Sequence, residues 1–271
     1  MSVTVAQLAA LKREAGAPPA PLRISRGPSD VRQLRQLLRL REARGTHVAR
    51  SSDRSLPGHE IAPGLRLIEA SVPCAALPRT LCGAFDHRGD FDPARVLFFD
   101  TETTGLAGGT GTRAFMIGAA HWRDGALDVR QLMIATLAAE RAMLAEFARW
   151  LRPDTILASY NGKSYDAPLL RTRWRLARMG DPLAGLEHVD LLYPSRRRWR
   201  GVYENCRLVT IERRVLKVVR EDDLPGSEAP AAWLTYLRGG SARNLRRVAA
   251  HNHQDVVSLA RLMLRLGGLP T

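Results

Sequence analysis

Residues 96–112 read VLFFDTETTGLAGGTGT. The apolar run VLFF has the length and composition of a buried strand. It ends on Asp100, and Glu102 follows two residues later. Strand side chains alternate between faces, so these two carboxylates share one. The glycines beyond them permit a tight turn with backbone close to a ligand. Carboxylates held together at a strand end call for compensation, and a hard divalent cation supplies it.

Around this stretch the pattern is one of alternating elements. RAFMIGAAHW and ALDVRQLMIA read as two further strands, with RDG as the hairpin turn between them. ERAMLAEFARWL (140–151) reads as a helix with Met143, Leu144, Phe147 and Trp150 toward a core. TILASY is another strand, followed by a turn and a helix from Asp166 to about Met179. HVDLLY is a last short strand, and the remainder is mainly helical, ending in HNHQDVVSLARLMLRLGG. Leading strands followed by alternating helix and strand predict an α/β fold, a mixed sheet flanked by helices. The domain assignment is 95–271. Residues 1–94 read as a helical and irregular extension, with helices near 4–16 and 29–45 and one or two hairpins in the Gly- and Pro-rich stretch after them.

The chain has 271 residues, 41 of them Lys or Arg against 27 Asp or Glu, a net charge of +14. Lys12, Lys163 and Lys217 are its lysines, so the charge is arginine, whose donor fork suits phosphate. Such a field attracts polyanions, and nucleic acid is the expected partner. Cys74, Cys82 and Cys206 form no CxxC pair, which argues against a disulfide scaffold or a zinc knuckle. No signal peptide or membrane span is read, and the expected compartment is the cytoplasm.

Two further acids join the first pair: Asp166, after SYNGKSY at a strand-to-helix turn, and Asp255, within HNHQDVV on the last helix. Each alone reads more readily as a cap or a salt-bridge partner than as a functional group. Together they suit two divalent ions, Mg²⁺ or Mn²⁺, held for phosphodiester hydrolysis. FFDTETTGL, SYNGKSYDAPLL and HNHQDVVSL occur in the order of the three motifs of the DEDD exonuclease superfamily, which has a ribonuclease-H-like fold, and the chain resembles it. The nearest resemblance, over about residues 95–266, is to the YprB-like ribonuclease-H-like proteins, whose first motif also continues into a GG-T-GT stretch. The resemblance implies that Asp100, Glu102, Asp166 and Asp255 bind the metals, with Asp100 touching both. It further implies that the backbone of Glu102, Thr103 and Thr104 lies near a substrate 3′ end and that Leu106 packs on terminal bases. The reaction implied is 3′-to-5′ exonucleolytic hydrolysis.

The superfamily's general base is a histidine five residues before the last aspartate or a tyrosine four before it. Here those positions are Ala250 and His251, histidine chemistry in the tyrosine spacing. Four residues apart on a helix, His251 and Asp255 share a face, and His251 is the candidate base. Asn161 reads as a substrate contact or as a loop-pinning residue, and Lys163 and Arg113 as phosphate contacts. GLAGGTGTR lacks the GK[ST] of a P-loop and is not an ATP site. SRRRWR (195–200) reads either as a phosphate and stacking platform, with Arg197 and Trp199, or as a solvated loop. The functional expectation is a metal-dependent exonuclease on single-stranded nucleic acid, DNA slightly before RNA. A non-catalytic nucleic-acid-binding module and a structure-specific endonuclease are the alternatives.

Overall fold

Phe98 and Phe99 are adjacent in sequence and both fully buried, yet they enter different hydrophobic clusters, as alternation along a strand requires. Their strand, β3 (Val96–Thr103), therefore has core on both faces. The computed structural model describes residues 53–75, 77–105, 111–123 and 125–269. The two helices expected near 4–16 and 29–45, and Leu106 with Gly108 and Gly109, lie outside these.

Before β3 come β1 (His59–Ala62) and β2 (Leu65–Pro73). After it come β4 (Ala114–Arg123), β5 (Ala126–Ile134), α1 (Glu140–Arg149) and β6 (Ile156–Ser159). Then follow α2 (Asp166–Leu176), β7 (Glu187–Asp190) and α3 (Leu192–Trp199). A short helical stretch, α4 (Leu208–Ile211), continues as a π turn over Glu212–Leu216. The last helices are α5 (Ala229–Leu237) and the long α6 (Arg243–Leu266).

The strands form one seven-stranded sheet in the order β1-β2-β5-β4-β3-β6-β7. Pairing is antiparallel from β1 through to β3, and parallel between β3, β6 and β7. This is the mixed sheet that the sequence predicts. The sheet nonetheless begins before residue 95: β2 pairs with β5 over its full length, Leu65 with Ile134 through Pro73 with Ala126. β2 supplies the partner for the free edge of β5, and β1 pairs with β2 in turn.

One face carries Leu97, Phe99 and Phe115 against Met143, Phe147, Leu170 and Trp174, with Phe147 stacked on Trp174 at 6.1 Å and 6°. The other carries Val96, Phe98 and Trp122 against Val256, Leu259, Leu262 and Met263 of α6. Alternation continues past the core. Asp100 and Glu102 fall on the α6 side with Phe98, and Thr101 on the side of α2.

SRRRWR is not a loop. Leu192, Ser195 and Trp199 are buried at helical spacing in α3, and Trp199 is only 8% exposed within the core. Trp199 therefore anchors a helix and presents no platform for bases. Arg197 donates to the Phe85 carbonyl at 2.6 Å and pairs with Asp86 at 3.6 Å, contacts that fasten α3 to the preceding segment.

Candidate active site

Three chain segments converge at the C-terminal end of β3. β3 itself brings Asp100 and Glu102, the first turn of α2 brings Asp166, and α6 brings His251 and Asp255. Asp166 Oδ1 accepts a hydrogen bond from Thr101 Oγ1. Asp255 Oδ2 lies 3.3 Å from His251 Nε2, the one-turn neighbour that a shared helix face predicts. Glu102, His251 and Asp255 each offer one ligand atom, and these atoms lie within 4.8 Å of one another.

The electrostatics match a site that expects cations. Burial, then the neighbouring Asp255, Asp166 and Glu102, push the Asp100 carboxyl well above the ordinary carboxylate range, against the Asn252 hydrogen bond that lowers it. Glu102 is raised likewise, by burial and then by Asp255 and Asp166, with Arg220 opposing. Burial carries Asp166 up to about 6 despite the Thr101 hydrogen bond. Clustered oxygens that resist ionising beside one another fit hard divalent cations, which take carboxylate and phosphate oxygens together. Asp100, Glu102, Asp166 and Asp255 would hold them.

Residues that sequence reading passed over set this geometry. Asn252, fully buried, donates from Nδ2 to Asp100 Oδ2 at 2.9 Å. Gln131 of β5 donates to Asn252 Oδ1 at 2.9 Å and to the Ala249 carbonyl at 2.8 Å. Asp223 Oδ1 lies 2.7 Å from His251 Nδ1. Arg220 forks onto Glu212 with bonds of 2.6 and 2.7 Å and also donates to Asp255 Oδ1. Burial alone would lower the pKa of Arg220, but its bonds to Glu212 and the charge of Asp255 raise it above the ordinary arginine value.

Asn161 adopts a left-handed backbone, φ 68°, which asparagine tolerates. Its N–H and that of Lys163 donate to the buried Asp190 at 2.6 and 3.1 Å, so Asp190 clamps the loop leading to Asp166. Gly162 is needed there, because a Cβ would come within 2.5 Å of Ser159 Oγ. The Lys163 side chain is exposed. Arg113 is tied to Glu140, which also binds Arg173 through bonds of 2.6 and 2.8 Å. Thr104 and Arg113 close the base of the glycine loop by Thr104 N to Arg113 O, 2.9 Å, and Arg113 N to Thr104 Oγ1, 3.0 Å. Thr103 donates to the Gly105 carbonyl at 2.9 Å.

A cleft of about 740 Å³ opens beside the acids. Asp100, Thr103, Asn161 and Asp166 line it, together with Tyr165, Leu169 and Arg207. Tyr165 is 61% exposed and presents an aromatic ring beside the acids, the feature expected of Trp199 and found here instead. Its place in the sequence, one residue before Asp166, was the available signal.

A family model described as RNase_H superfamily matches residues 97–267. The uncharacterized protein YprB of Bacillus subtilis (strain 168) is 34% identical over 177 residues, which are 65% of this chain and 43% of that protein. The chain thus spans less than half the length of that relative. Among solved structures, the family B DNA polymerase of the hyperthermophilic archaeon Pyrobaculum calidifontis aligns with a TM-score of 0.49 and 17% identity, over 65% of this chain and 26% of the polymerase. Exonuclease I aligns with a TM-score of 0.40 and 16% identity, over 60% of this chain and 44% of that one. By the match across most of its length, the chain belongs to the RNase_H superfamily.

Proposed function

We propose that the protein is a metal-dependent 3′-to-5′ exonuclease acting on single-stranded nucleic acid, DNA slightly before RNA, in the cytoplasm. The observation that carries the reading is the convergence of Glu102, His251 and Asp255 ligand atoms within 4.8 Å, beside Asp100. Two divalent ions, Mg²⁺ or Mn²⁺, would supply activation of water and stabilisation of the leaving oxygen. Asp100, Glu102, Asp166 and Asp255 would hold them. His251 takes the proton of the attacking water at Nε2, while Asp223, 2.7 Å from Nδ1, orients the ring. In this reading Thr103, Thr104 and Leu106 meet the 3′ end and Asn161 and Lys163 contact the phosphates, whereas Arg113 is tied to Glu140. Tyr165 and Arg207, which line the cleft, add a stacking surface and a cation. Arg197 and Trp199 have no part in this reading, since both are engaged elsewhere.

Digestion of end-labelled single-stranded and duplex DNA and RNA with Mg²⁺ or Mn²⁺ tests it. The expected product is a ladder shortening from the 3′ end that disappears in chelator. Asp100→Ala should abolish hydrolysis while leaving oligonucleotide binding measurable, and His251→Ala should lower turnover far more than binding. Internal cleavage by the unaltered protein would favour an endonuclease, and binding without any cleavage a recognition module.

A further inference from the structure

Arg220 stands beside Asp255 with its side chain 8% exposed. Its fork on Glu212 uses Nη2 to Oε1, 2.6 Å, and Nε to Oε2, 2.7 Å. The same Nη2 donates to Asp255 Oδ1. Glu212 is fully buried in the π turn and accepts a further bond from Ser258 Oγ of α6. On its other side, Arg220 Nη1 lies 3.0 Å from His251 Nδ1 and 3.6 Å from Asp223 Oδ2. Glu212 therefore fixes the guanidinium whether or not Asp255 is paired with it. Asp255 divides its two oxygens: Oδ1 meets Arg220, and Oδ2 lies 3.3 Å from His251 Nε2.

We propose that Arg220 is an internal counter-ion that competes with metal for Asp255, so that an ion pair built into the chain sets occupancy of the metal position at Glu102 and Asp255. The proposal rests on the reading of those two carboxylates as metal ligands given above. An unpaired buried carboxylate is costly, and Arg220 meets that cost for Asp255. A divalent ion at Asp255 would meet a guanidinium a few Å away in a poorly screened interior, and the repulsion weakens its binding. Arginine cannot relieve this by losing a proton, and the Glu212 fork keeps it from swinging away. The chain thus trades metal affinity for an acid cluster that stays folded without metal.

Titration of the full chain with Mn²⁺, followed by the electron paramagnetic resonance of the free ion at low ionic strength, tests the competition. Arg220→Gln alone strands the buried Glu212, so the informative variant is Glu212→Gln with Arg220→Gln, which removes both charges. Its Mn²⁺ affinity should rise at least about tenfold, while its melting temperature in chelator falls. Glu212→Gln alone keeps an amide oxygen to hold Arg220 but removes the charge that offsets it, so Asp255 bears the whole guanidinium charge and Mn²⁺ should bind more weakly than to the unaltered protein. Weaker or unchanged Mn²⁺ binding in the double variant, or tighter binding in Glu212→Gln, would overturn the proposal. Absence of any Mn²⁺ binding by the unaltered protein would overturn the metal-site reading beneath it.

Discussion

Asp100 relies on a glycine of the neighbouring strand. Gly118 lies opposite Asp100 on β4, and a Cβ there would fall 2.0 Å from Asn252 Oδ1. The missing side chain lets the Asn252 amide cross the strand and donate to Asp100 Oδ2, while Gln131, opposite Gly118 on β5, holds the other end of that amide. Gly118→Ala should therefore displace Asn252, costing about 1–3 kcal/mol of stability and lowering hydrolysis by about tenfold or more. Denaturant unfolding and the end-labelled assay would report the two effects separately. The acids themselves were legible in the sequence, because Asp100, Glu102 and Asp166 sit at a strand end or helix start, Asp255 lies within the long helix α6, and the chemistry needs that residue type. Asn252 and Gln131 were not, because their meaning lies in a contact between positions 121 residues apart. Arg220 and Glu212 were hidden for the same reason. An arginine in a chain of 41 basic residues carries no mark that singles it out.

Among the elements, α3 shows how composition misleads. SRRRWR suits a nucleic-acid loop and an amphipathic helix equally well, and only the burial of Leu192, Ser195 and Trp199 decides between them. Trp199→Ala should cost about 3–5 kcal/mol in chemical denaturation and leave single-strand affinity, read by fluorescence anisotropy, unchanged. The parallel pair β6 and β7 carries a second consequence. His188 Nε2 lies 2.8 Å from Ser159 Oγ, and burial, with Lys163 and Arg171 nearby, pushes the imidazole down to about 4. The unfolded chain, with histidine near its ordinary value, then takes up this proton before the folded one does. Stability from His188 is complete above about pH 6.5 and is lost as pH falls toward 4. Melting temperatures across that range should fall less steeply in His188→Gln than in the unaltered protein. The strands and the long helix α6 were legible because their periodicities are sustained. The π turn was not, since one extra residue in a helical turn leaves no periodic trace.

On the scale of the molecule, a chain with a net charge of +14 holds a buried cluster of acids. The arginines supply long-range attraction, and the acids act only at contact distance. Oligonucleotide affinity measured with Asp100→Ala should fall linearly on a log–log plot against salt, with a slope steeper than about −2 if three or more phosphates are neutralised. A shallow slope would place the positive surface away from the bound strand. Among the described residues no helix is long and apolar enough to cross a membrane.

The hairpin β1–β2 precedes the family match, which begins at residue 97, yet β2 covers the whole of β5 from Ala126 to Ile134. Trimming the chain to its recognisable motifs would strip that cover and leave one edge of β5 bare, with the backbone donors and acceptors of every second residue on show. Such a bare margin recruits strands from neighbouring molecules, and fibrous or amorphous aggregates follow. The β1–β2 hairpin thus serves as a hem, keeping each copy of the sheet to itself.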